Sequence, residues 1–166
     1  MKIEMVSRLA NELKIRTGFQ SLEQEAFLQI LRTADHLATQ AGDLLKEHDL
    51  SSTSYNVLRI LRGAGAKGLA CGEISDRLIT RVPDVTRLLD RLELKALVAR
   101  TRLTSDRRVV LARITQRGLR ILSRIDEPMA ALHQQQFAHM RPEELGKLCA
   151  LLESVRALTG AEVVSK

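Results

Sequence analysis

Apolar residues recur at steps of three and four along most of this chain, and the period shortens to two in one stretch. From Leu22 to Lys46, the positions Phe27, Ile30, Leu31, Ala34, Leu37, Ala38, Ala41, Leu44 and Leu45 mark one side of a long helix. Ser21 is its expected N-cap, with Glu23 and Glu25 in a first turn where the helix dipole favours acids. At 1.5 Å per residue such a helix is roughly 35–40 Å long. Upstream, Ile3, Val6, Leu9, Ala10 and Leu13 suit a short helix that Thr17-Gly18 breaks.

A second helix is expected after Leu50, capped by Ser51 or Ser52, with Tyr55, Leu58, Ile60 and Leu61 as apolar positions and Gly63, Gly65 and Gly68 ending it. A short helix follows at about 72–78, then a turn at Thr80-Arg81-Val82-Pro83. Pro83 suits the first position of a helix reaching about Lys95, with Val85, Leu88, Leu89 and Leu92 facing inward. Residues 98–102 and 109–114 alternate as strands around a polar turn at 103–107. Thr115 caps a further helix facing inward at Leu119, Leu122 and Ile125. Pro128 either kinks that helix or opens a new one. Pro142-Glu143-Glu144 begins the last helix, expected to bury Leu145, Leu148, Leu151, Leu152, Val155 and Leu158.

The order helix, short helix, turn, helix, strand, turn, strand describes a winged helix-turn-helix. The fold class is therefore mainly α (α+β): a winged helix-turn-helix core flanked by long N- and C-terminal helices. Residues 1–20 form an N-terminal extension, 21–48 a dimerisation helix, 50–118 the winged lobe and 119–160 C-terminal dimerisation helices. A lobe of that size cannot cover apolar stripes as long as the flanking ones, and uncovered stripes mark interfaces, so a two-fold homodimer is expected. Aromatics are scarce, with three Phe, one Tyr and no Trp, so aliphatic helices must build the core.

Charge gives this architecture a partner. Between Leu69 and Arg124 there are 13 Lys and Arg against 6 Asp and Glu, whereas the other 110 residues carry 13 against 14. Twelve of those 13 cations are Arg, whose planar fork suits phosphates and guanine edges. A solvated basic surface is the plainer alternative, but charge, helix order and hairpin tip agree on double-stranded DNA. In a winged helix the second helix of the pair enters the major groove, which makes Arg81, Asp84, Thr86, Arg87 and Arg91 the candidate recognition residues. Arg87 is the best candidate for a base edge, and Asp90 is expected to pair with an arginine at helical spacing. At the wing, Ser105, Asp106, Arg107 and Arg108 form a tip suited to the minor groove, with Arg100 and Arg102 adding phosphate contacts.

The stretches LSSTSYNVLRIL at 50–61, TRLLDRLELKALVAR at 86–100 and SDRRVVLARITQRG at 105–118 resemble the MarR family of bacterial transcriptional regulators. The wing signature is carried by Asp106, Arg107 and Arg108, followed by Ile114, Thr115 and Gly118. Two positions depart from the family: Ala96 stands where Gly is frequent, and Ser54 where Gln is. The resemblance implies interlocked homodimers on palindromic promoter DNA, and small aromatic or phenolic effectors bound between the dimerisation helices and the lobe. In this chain that region is expected to include His36, Tyr55 and Arg59. A DNA-binding repressor is the function this implies. The alternatives are a non-specific architectural DNA-binding protein and a thiol-based redox sensor.

Other classes find little support. The sequence holds no nucleophile elbow, phosphate loop, catalytic carboxylate pair or zinc motif, so neither an enzyme nor a cofactor or metal is expected. Cys71 and Cys149 lack metal-ligand spacing. Cys71 starts the short helix, where a thiolate is favoured, and Cys149 falls within the apolar face of the last helix. No apolar run approaches a membrane span and the N-terminus lacks a secretory signal, so the expected location is the cytoplasm, with the nucleoid.

Overall fold

The computed structural model describes residues 7–102 and 109–157. Its helices are α1 (Arg8–Glu12), α2 (Leu22–Lys46), α3 (Ser52–Ala64), α4 (Cys71–Arg77), α5 (Val85–Leu94), α6 (Gln116–Gln136) and α7 (Pro142–Ala157). The strands β1 (Leu69–Ala70), β2 (Val98–Arg102) and β3 (Val110–Ile114) form one antiparallel sheet in the order β1-β3-β2. Contacts divide the chain into two compact units, residues 1–122 and 123–166. Among the described residues no helix is long and apolar enough to cross a membrane.

Side-chain caps set most helix starts. The Ser21 hydroxyl accepts from the Gln24 N–H at 3.2 Å, and that of Ser51 accepts from the Ser54 N–H at 3.1 Å. Thr115 accepts from the Gly118 N–H at 3.1 Å while donating to the Ala96 carbonyl at 2.8 Å. One threonine thus starts α6 and ties it to the turn after α5.

The start of α5 differs from expectation. Asp84, not Pro83, governs it: its carboxylate accepts from the Arg87 N–H at 2.9 Å, so Asp84 is the N-cap and Pro83 precedes it. A carboxylate that satisfies an orphan N–H outweighs the proline preference for a first turn. The proline at 128 opens no new helix, since α6 continues through it.

The first unit has a well-filled core. Helix α3 contributes Val57, Leu58 and Leu61, α4 Ile74, and α5 Val85, Leu88, Leu89 and Leu92, all at most 9% exposed. Val98, Ala112 and Leu122 join them. On α6, Leu119 is half-buried and Ile125 is buried.

The expected two-stranded hairpin has a third strand. Gly68 makes room for it: φ there is +68°, and an added Cβ would lie 2.7 Å from the Ala112 carbonyl oxygen. Only glycine lets the chain come that close to β3. A two-residue strand leaves no alternation to read.

The long helices behave differently from the lobe. Among the described residues Leu45 is the only buried position of α2; Phe27 is 61% and Leu31 50% exposed. None of α7 is buried: the expected set is corrected by Leu151 at 65% and Val155 at 54% exposure, and Leu158 lies outside the described residues. Cys149, placed by periodicity within that apolar face, is likewise exposed. These faces have no cover within their own unit.

Candidate nucleic-acid interface

Helices α4 and α5 and the turn between them form a helix-turn-helix. The turn is anchored from beneath: the side-chain Oδ1 of Asn56 on α3 accepts from the Ile79 N–H at 3.1 Å. Helix α5 turns Val85, Leu88, Leu89 and Leu92 into the core, which leaves Thr86, Arg87 and Arg91 exposed on the other side. Arg81 is exposed in the preceding turn.

Asp84 holds the first turn together twice. Besides capping the helix, it pairs with the Arg87 Nε at 3.2 Å, while the Arg87 side chain stays 83% exposed. A carboxylate at this spot fixes the fork of Arg87 near the helix N-terminus before anything binds. The Arg91 Nε donates to the Arg87 carbonyl at 3.4 Å.

Among the described DNA-binding candidates Arg100 is the least exposed. From β2 its Nη2 pairs with the Asp90 Oδ1 and Glu93 Oε2 of α5, both at 2.6 Å, and its side chain is 24% exposed. The Glu93 carboxylate also accepts from the Arg100 Nε at 2.8 Å and the Arg100 backbone N–H at 3.2 Å. The Glu93 hydrogen bond, supported by Asp90, raises the guanidinium pKa above its ordinary value. Asp90 therefore pairs with an arginine of the neighbouring strand rather than at helical spacing. Strand alternation already pointed there, because Arg100 shares a face with buried Val98.

Arg102 is exposed at the end of β2. Ser105, Asp106, Arg107 and Arg108 lie outside the described residues. Arg113 of β3 ties the sheet to the turn before β1, its Nε donating to the Ala66 carbonyl at 2.7 Å.

The expected ligand residues do not converge on one cavity. His36 lines a cavity of about 420 Å³ between α1 and α2, beside Arg8 and Arg32. The Arg59 guanidinium sits 5.8 Å from the centre of the Tyr55 ring, a cation–π pair on α3, and neither residue lines that cavity. A larger one, about 700 Å³, lies where the end of α2 meets the start of α3 and the end of α5, against Lys46, Leu50, Ser54, Arg91 and Lys95. Asn56, Glu93 and this larger cavity escaped sequence reasoning. Glu93 was the legible one, being three residues after Asp90 on the same helix. Among the described residues no group of three or more His, Cys, Asp or Glu is placed to hold a metal ion.

Known proteins match this arrangement. A family model described as the MarR family matches residues 50–110. The HTH-type transcriptional regulator MhqR of Bacillus subtilis is 30% identical over 129 residues, covering 78% of this chain and 88% of its own. The HTH-type transcriptional repressor IacR of Pseudomonas putida is 31% identical, over 80% and 78%. The homoprotocatechuate degradative operon repressor of Escherichia coli is 26% identical, over 79% and 87%. Among solved structures, a MarR transcription factor from Planctomyces limnophilus has 41% identity and a TM-score of 0.64, over 81% of this chain and 98% of that one. The MepR–DNA complex of S. aureus shares the fold, with a TM-score of 0.71, 22% identity and coverage of 79% and 96%.

Proposed function

The chain belongs to the MarR family of DNA-binding transcriptional regulators, and from that premise we propose that it represses transcription as a homodimer on a palindromic promoter site. The observation that carries this reading is the two-sidedness of α5. Four of its residues are buried in the core, and the opposite side presents Thr86, Arg87 and Arg91. Arg87 reads a base edge, Thr86 meets a thymine methyl or a phosphate, and Arg81 and Arg91 meet phosphates. Asp84 holds the Arg87 fork in place. Ser105, Asp106, Arg107 and Arg108 enter the minor groove, flanked by Arg102.

The uncovered faces of α2 and α7 support the dimer, because a second copy supplies their cover. Two-fold symmetry then sets two recognition helices about one DNA turn apart. A small aromatic or phenolic ligand releases the DNA. The relative named for a homoprotocatechuate operon supports that chemical class. The ligand acts only through its difference in affinity between the DNA-competent and incompetent spacings. Nothing in this scheme requires an enzyme, and its setting is the cytoplasm.

Fluorescence anisotropy on duplexes from the gene's own upstream region tests the reading. The expected result is saturable binding at 2:1 protomer stoichiometry, weakening steeply with salt. Arg87→Ala should cost about 1–3 kcal/mol and relax discrimination at one position per half-site. Equal affinity for random duplexes at physiological salt would instead make this a non-specific coating protein.

A further inference from the structure

The basic segment that defines the lobe contains an arginine whose charge is already paired within the lobe. Arg100 lies between two carboxylates of the recognition helix, Asp90 and Glu93, and both are within 2.6 Å of its Nη2. A phosphate approaching it would meet two negative charges against one positive. Its place in the sheet agrees: its cross-strand neighbour is Ala112, 1% exposed, whose small side chain leaves that face open to a long one. Glu93 grips the same residue twice, once at the guanidinium and once at the backbone N–H. A strand held at both main chain and side chain by one helix cannot tilt freely against it.

We propose that Arg100, gripped by Asp90 and Glu93, is a positioning residue that locks strand β2 to the recognition helix, so that helix and wing meet DNA as one body. The proposal rests on the DNA-binding reading above and replaces the expected phosphate contact at Arg100. Its consequence is specific to the geometry. Two elements that must reach adjacent grooves together lose affinity when the link between them loosens, even if every group that touches DNA is intact.

Glu93→Gln separates this from plain electrostatics. Removing a negative charge from a DNA-reading helix should tighten binding if charge alone matters. The clamp predicts the opposite: about tenfold weaker binding of the full chain to a duplex that the unaltered protein selects. Arg100→Gln, which loses the pair with Asp90 as well, should weaken binding at least as much, and the double variant no further than Arg100→Gln alone. The salt dependence of binding should stay as in the unaltered protein, whereas losing a phosphate contact lowers its slope by about one unit.

Hydrogen exchange on the free protein supplies a readout that needs no DNA. Amides of β2 should exchange faster in both single variants, while those of α3 stay protected. Tighter binding by Glu93→Gln, a slope lowered by one unit in Arg100→Gln, or unchanged β2 exchange would each overturn the clamp. An unaltered protein that selects no duplex would overturn the DNA reading and this proposal together.

Discussion

The winged lobe and helix α2 are built from the same aliphatic residues and reach opposite states. Helix α5 buries four of its ten residues, whereas α2 buries one of twenty-five. Both have the three-and-four spacing that sequence reading calls a core face. Periodicity reports that a face wants cover; it says nothing about which chain supplies it. In the lobe, the cover comes from α3, α4 and the sheet. Along α2, Phe27, Ile30 and Leu31 stay 61, 38 and 50% exposed, and a second copy of the chain is the proposed cover.

Charging α2 is the strongest way to break that contrast. Phe27→Asp with Leu31→Asp places two carboxylates four residues apart on one face. Each large side chain that loses its buried place costs about 1.5–3 kcal/mol, and a two-fold axis applies the cost twice. The variant should sediment as a monomer at concentrations where the unaltered protein is a dimer, with the circular dichroism of the lobe retained. An unchanged mass would show that the α2 face needs no partner.

Two glycines sharpen the lobe's side of the comparison. An added Cβ at Gly118 would lie 2.5 Å from the Leu97 carbonyl oxygen and 2.7 Å from the Ile114 Cγ1. Alanine is worth about 1 kcal/mol over glycine inside a helix, but a backbone oxygen at that distance cannot be pushed aside cheaply. Gly118→Ala should therefore destabilise by roughly 1–3 kcal/mol in denaturant melts. Gly63 of α3 has nothing within 4 Å of its would-be Cβ, so Gly63→Ala should stabilise by about 1 kcal/mol. If both substitutions shift the midpoint the same way, the lobe is not packed as tightly as its buried leucines indicate.

These glycines also show what a sequence exposes and what it hides. Gly118 stood out only in the family resemblance and its approach to the Leu97 carbonyl was hidden, whereas Thr115 was legible because capping a helix belongs to a few residue types. Ser51 and Pro142 were legible for the same reason. Strand β1 was hidden, because two residues carry no period. Asp84 was misjudged because a proline and a capping acid stood side by side, and only the hydrogen bond to Arg87 decides between them. Arg100 was read as a phosphate contact on the strand before the wing tip, although alternation puts it on the same face as buried Val98. The set expected to be buried on α7 followed the helical pattern, yet among the described residues none of it is buried, and a second copy of the chain is the proposed cover. The expected ligand residues are spread over two places: His36 lines one cavity, while Tyr55 and Arg59 pair on another helix.

A smaller effect tests the joint between α5 and the sheet. Ala96 has φ +56°, a left-handed conformation that costs an alanine about 1–2 kcal/mol and a glycine almost nothing. Glycine loses about 0.5–1 kcal/mol of that gain to its freer unfolded chain. Ala96→Gly should raise stability by roughly 0.5–1 kcal/mol, read as a higher midpoint with unchanged slope. A fall would mean that the Ala96 methyl group packs usefully against the lobe.

The smallest expected effect asks whether a helix without cover still has a well-determined end. At the start of α7, Glu144 accepts from the Arg141 Nη2 at 3.0 Å and from the Arg141 backbone N–H at 2.9 Å. The Arg141 side chain first, and then its backbone N–H, hold this carboxyl below its ordinary 4.5. In the unfolded chain the group takes up its proton at that ordinary value, so its stabilising contribution is complete above pH 4.5 and is lost as pH falls through the lower folded value. The carboxylate is partly exposed, and water and salt weaken the contribution further. Glu144→Gln should therefore speed exchange of the first α7 amides slightly at pH 7, and the difference should shrink on acidification and at high salt. A difference that grew below pH 4 would place the carboxyl's protonated form in the folded contact, and the end of α7 would then owe its order to something other than this ion pair.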